Sequence, residues 1–128
     1  MIQFNKVSKR YQNGHDALRD VSFHLAKGEM AFLTGHSGAG KSTLLKLVMA
    51  LEPYTQGQIL VANKNLAKLS RRQIPSLRQS IGIIFQNPEL ITSRTVFENV
   101  ALPLIVAGYS HDEIGRRYRQ LIHQFFVL

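Results

Sequence analysis

Gly35-His36-Ser37-Gly38-Ala39-Gly40-Lys41-Ser42-Thr43 decides how the rest of this chain is read, because it satisfies G-x-x-x-x-G-K-[S/T] at every fixed position. Each residue type answers a need of polyphosphate binding. A triphosphate calls for several donors converging on it, and only glycine lets backbone N–H groups approach so closely. Gly35, Gly38 and Gly40 supply that freedom, with His36, Ser37 and Ala39 between them. Lys41 brings a flexible point charge for the β- and γ-phosphates, Ser42 a hydroxyl ligand for Mg²⁺, and Thr43 is expected beside the α-phosphate. The flanks agree. Residues 30–34, Met-Ala-Phe-Leu-Thr, read as a buried strand, and residues 42–50 as a helix whose N-terminus faces the anion.

The whole chain, 128 residues with 45% apolar side chains, suits one domain with a modest core. It contains no cysteine, which excludes a disulfide framework and a thiolate metal site. Neither a signal segment nor a membrane-length apolar run is present in it, so a cytoplasmic location is expected. The formal charge is +8, but the 16 Lys and Arg residues are scattered and not interleaved with aromatics. That pattern reads as a solvated surface and not as a nucleic-acid face. A small-molecule kinase would also use the loop, yet no acidic or Arg-rich lid for an acceptor is visible.

Outward from the loop, residues 2–7 and 17–25 alternate as strands around an Asn13-Gly14 turn, an antiparallel β layer ahead of the loop. Beyond it come a loop at 53–57, a strand at 58–62 and a turn at 63–65. The basic segment 70–78, with Pro75 inside it, reads weakly as helix. Residues 81–85, Ile-Gly-Ile-Ile-Phe, read as an apolar strand closed by the polar Gln86 and followed by a loop at 87–90. An apolar helix over 95–107, broken near Pro103, precedes a last helix that opens on the capping-box spacing Ser110-x-x-Glu113. That helix carries Ile114, Tyr118, Leu121, Ile122 and Phe125 on one face.

A phosphate loop that follows a β layer, with Tyr11 in Val7-Ser8-Lys9-Arg10-Tyr11 and Gln86 in Ile84-Phe85-Gln86, resembles the ATP-binding cassette (ABC) family. The resemblance implies an α/β fold, the P-loop NTPase nucleotide-binding domain of ABC ATPases. Its N-terminal part would comprise an antiparallel β layer, a partial RecA-like core and the start of a helical subdomain. The division would fall at about 94, with 95–128 as the start of the helical part. The implied cofactors are ATP and Mg²⁺. Tyr11 would stack on adenine, the P-loop residues 35–43 would hold the phosphates, and Ser42 and Gln86 would contact the metal. Residues 94–104, Arg-Thr-Val-Phe-Glu-Asn-Val-Ala-Leu-Pro-Leu, and His36 within the loop are similar to the family branch that serves bacterial cell division. That likeness implies an FtsX-like integral membrane subunit as partner, a homodimer, and a peripheral position on the inner face of the plasma membrane. Segment 95–107 would face the membrane partner. Lipoprotein-release and macrolide-export ATPases are the alternative branch.

The family also uses an Asp and a catalytic Glu closing an apolar strand, a Leu-Ser-Gly-Gly-Gln signature and a switch histidine, and these 128 residues contain none of them. No catalytic residue is therefore assigned, and this polypeptide alone is expected to bind ATP without hydrolysing it. Gln124-Phe125-Phe126-Val127-Leu128 departs from the family, and a frameshift or early stop at the paired Phe codons is the expected origin. Later strands of the family sheet would be missing, which predicts open edges, exposed apolar surface and weak stability.

Overall fold

The computed structural model describes residues 1–87 and 90–126. Pro88 and Glu89 of the expected 87–90 loop, and Val127 and Leu128 of the unusual end, lie outside the described residues. The chain forms two units, Met1–Gly82 and Ile83–Leu128, so the division expected near 94 falls inside the second.

In the first unit, β1 (Ile2–Arg10) and β2 (Asp16–Leu25) form an antiparallel hairpin in which Phe4 faces Phe23. Their rings stack with centroids 4.6 Å apart, a cross-strand pair of the kind that stabilises a sheet. β3 (Gln56–Val61) adds to the other side of β1, and the short β4 (Lys64–Asn65) completes the order β2-β1-β3-β4. The turn joining β3 and β4 is Ala62-Asn63, with φ of 49° and 63°. Two successive left-handed residues are what a tight hairpin requires, so the turn sits one residue before the expected 63–65.

The helix α1 (Lys41–Val48) follows the phosphate loop and buries Thr43, Leu47 and Val48. Leu47 and Val48 join Phe4, Val7, Leu18, Ile59, Val61 and Leu77 in one core. Leu77 comes from α2 (Ile74–Gln79), where Pro75 occupies the first turn and its missing N–H removes no helical bond. From the same helix Arg78 donates to the carbonyls of Met49 (3.1 Å) and Ala50 (2.9 Å), which follow α1.

Two expected strands do not form. Residues 30–34 and 81–85 are irregular, and Met30, Phe32 and Ile84 are 82%, 87% and 99% exposed. A strand exists through lateral hydrogen bonds. Among the described residues the sheet consists of β1 to β4 alone, and none of them pairs with either segment. Gln86 therefore does not close a buried strand; it lies in an exposed bend.

The second unit is built on α3 (Val96–Val106) and α4 (His111–Phe126). Phe97 meets Tyr118 edge-on with centroids 4.9 Å apart, and Ala101 and Ile114 are buried. α3 runs through Pro103 without the expected break. Proline removes one backbone bond, and the helix is held at its start by a second capping box, Thr95 with Glu98. The expected apolar face of α4 is covered unevenly: Ile114 is buried, while Leu121 and Phe125 remain exposed.

Both boxes titrate in a predictable direction. The Thr95 N–H, then its hydroxyl, holds the Glu98 carboxyl below the ordinary carboxylate range, and the Ser110 hydroxyl, then its N–H, does the same for Glu113. A depressed folded value means stabilisation that is full above the ordinary value of 4.5 and lost as pH falls through the folded value. Carbon-detected NMR titration should place both midpoints below 4.5; midpoints at or above it would mean that the boxes do not persist in solution.

Candidate nucleotide site

Residues 35–40 turn the chain into α1, and Gly35, Gly38 and Gly40 take φ of 149°, 81° and 87°. Gly40 is the N-cap of α1 and offers no side chain to the helix start. The N–H groups of Lys41, Ser42 and Thr43 have no carbonyl within the helix to bond, so they face outward at its positive end. A Cβ at Gly40 would lie 2.3 Å from the Ala17 carbonyl oxygen and 2.9 Å from Leu18 Cδ2. The loop backbone thus rests directly on β2. Nothing lies within 4 Å of a Cβ placed at Gly38, so the loop is open there.

Lys41 Nζ donates to the carbonyls of Gly35 (2.6 Å) and His36 (2.8 Å), spanning its own loop. Both are neutral acceptors, and a phosphate oxygen would form a stronger, charge-assisted bond. The Ala39 N–H is turned inward to the His36 carbonyl at 3.2 Å. His36 is exposed, with Nδ1 2.7 Å from the Ser37 carbonyl. A carbonyl only accepts, so Nδ1 carries the proton in this contact.

Tyr11 belongs to the same site. Its hydroxyl lies 3.1 Å from Thr43 Oγ1, which ties the residue after β1 to the first turn of α1. Thr43 is buried, and with its hydroxyl engaged by Tyr11 it retains its backbone N–H for an anion. Ser42 is exposed. Among the described residues no three His, Cys, Asp or Glu side chains come together as a metal cage. The donor that this unit offers Mg²⁺ is the Ser42 hydroxyl, a hard oxygen suited to act beside phosphate oxygens and water. The free α1 N-terminus, the lysine and this hydroxyl fit Mg-ATP. Gln86 belongs to the second unit.

Lys9 was quoted in the sequence only as part of a motif, yet it is buried beneath this site. Its ammonium bonds the Pro53 carbonyl at 2.7 Å, pairs with Glu52 at 3.1 Å and sits 4.7 Å from the centre of the Tyr11 ring. The signal was available: strand alternation puts Lys9 in phase with buried Val7.

Comparison with known proteins agrees with this geometry. A family model described as ABC transporter matches residues 18–126. The cell division ATP-binding protein FtsE of Escherichia coli is 54% identical over 117 residues, 91% of this chain and 53% of that protein. The methionine import ATP-binding protein MetN of Vibrio vulnificus is 44% identical over 125 residues, 95% of this chain and 36% of that protein. A solved ATP-binding cassette, a dimer in a post-hydrolysis state bound to ADP and Pi, superposes with a TM-score of 0.84 at 33% identity, covering 94% of this chain and 55% of that one. The chain spans about half the length of FtsE and about a third of MetN. Its phosphate loop on an antiparallel β layer and the match over residues 18–126 lead to one conclusion: the chain belongs to the ABC transporter family.

Proposed function

We propose that this chain is the ATP-binding part of a cell-division ABC ATPase of the FtsE type. The observation that carries the nucleotide reading is the Tyr11–Thr43 contact, which fixes an aromatic ring beside the free N-terminus of α1. The loop amides and Lys41 receive the phosphates, Ser42 the metal, and the Tyr11 ring the base. Bound Mg-ATP supplies the anionic triphosphate and the cation that neutralises it. Stacking on an aromatic ring contributes about 1–3 kcal/mol and tolerates different bases, so Tyr11 alone gives little specificity for adenine.

The division role is supported by 54% identity to FtsE, against 44% to MetN. Its partners would be an FtsX-like integral membrane subunit and a second copy of the ATPase, at the inner face of the plasma membrane. No helix among the described residues is long and apolar enough to cross a membrane. On α3, Val96 and Ile105 are exposed apolar residues that would face the membrane partner. The alternative is an ABC transporter ATPase of the lipoprotein-release or macrolide-export type, and the 44% identity to the import protein MetN keeps a transport role in view. The sequence contains neither an apolar strand closed by an Asp-Glu pair nor a Leu-Ser-Gly-Gly-Gln signature, so binding without hydrolysis is the activity we assign to it. Calorimetry should give saturable one-site binding of Mg-ATP, and absence of binding would end the nucleotide reading. A fluorescent fusion should concentrate at the division site; a diffuse signal would favour transport.

A further inference from the structure

We propose that Lys9 and Glu52 form a positioning pair that holds the Tyr11 ring for the nucleotide base, leaving phosphate binding to the loop. The proposal rests on the nucleotide reading above and goes beyond it, because Lys9 and Glu52 belong to neither the phosphate loop nor the metal site.

A lysine on the inward phase of a strand has to find partners, since an unpaired buried ammonium is costly. Lys9 finds three. The Glu52 carboxylate and the Pro53 carbonyl hold the ammonium from the segment that follows α1, and its remaining approach is to the Tyr11 ring. A cation within about 6 Å of a ring centroid is attracted to the ring face, and here the distance is 4.7 Å. One face of Tyr11 is thereby occupied, and the opposite face is the one on which a base can stack. The hydroxyl of the same ring is fixed separately by Thr43. A tyrosine held at its face and at its tip loses little side-chain freedom when a base stacks on it, and such preorganisation appears as affinity.

Lys9→Met keeps the apolar stem and removes the charge. For the 128-residue chain, the expected result is a Kd for Mg-ATP raised by about 3- to 10-fold, with the Kd for Mg-tripolyphosphate unchanged, since the latter has no base to stack. Lys9→Arg should restore most of the loss, because a guanidinium also pairs with a carboxylate and an aromatic face. In a Tyr11→Leu background Lys9→Met should have no further effect on ATP, as expected when one residue acts through the other. Glu52→Gln, which leaves Lys9 in place but weakly anchored, should shift ATP in the same direction by less. Equal loss of ATP and tripolyphosphate affinity, or an undiminished Lys9 effect in the Tyr11→Leu background, would show that the pair only supports the fold and would overturn the proposal. If Lys41→Ala left both ligands bound as before, the nucleotide reading would fall and the positioning role with it. With dependence on Lys41 intact, a negative Lys9 result removes the positioning role alone.

Discussion

Lys41→Ala will weaken Mg-ATP binding by about 10- to 100-fold while leaving the thermal unfolding midpoint in place. A hydrogen bond to a charged group contributes about 1.5–3 kcal/mol, which corresponds to about that range of affinity. The fold should not notice the change, because the hydrogen bonds of the lysine ammonium go to two carbonyls of its own exposed loop. Calorimetry with Mg-ATP and a parallel thermal melt separate the two effects. Affinity equal to that of the parent would show that the loop does not bind phosphate in this chain. Lys41→Arg should not restore binding fully, since a planar fork does not replace a compact point charge.

Gly40→Ala should destabilise the first unit by about 2–5 kcal/mol, because two separate penalties apply to one methyl group. A non-glycine residue in the left-handed region costs about 1–2 kcal/mol, and φ at this position is 87°. Forcing an extra methyl into packed structure costs about 1–3 kcal/mol more, and here it would meet a backbone carbonyl at 2.3 Å. Gly38→Ala is the control: φ is 81° but no atom lies within 4 Å, so only the conformational penalty remains. Urea unfolding of the two variants should differ by the cost of the clash. Equal losses would mean that the loop lifts off β2 in solution.

What the sequence made legible was local. The phosphate loop, the Asn13-Gly14 turn and the alternation of β1 and β2 follow from rules that act over a few residues. The segments 30–34 and 81–85 were misread because an apolar run reports a wish to be buried and says nothing about a lateral partner. At α2 the rule was sound but placed too early: Pro75 suits a first turn, so the helix starts at Ile74 and not at Ser70. The Thr95 box had the same spacing as the Ser110 box and went unread, and it helps to explain why α3 survives Pro103. Within the candidate site the loop residues were legible singly. Their support was not: the contact of Lys9 with Glu52 and Pro53 joins residues more than forty positions apart, and no pattern along the chain encodes such a contact.

The short helix behind the loop has opposite poles, and both are provided for. Its positive pole carries the Lys41, Ser42 and Thr43 amides, which would face an anion, and just past its negative pole the Met49 and Ala50 carbonyls accept from the Arg78 guanidinium. Eight residues at 1.5 Å each set these poles about 12 Å apart. A bound phosphate would therefore complete a line of alternating charge: anion, helix, cation. Arg78 lies at the far end of the helix from Lys41, so on the nucleotide reading the basic segment that carries it would help to hold negative charge without touching it.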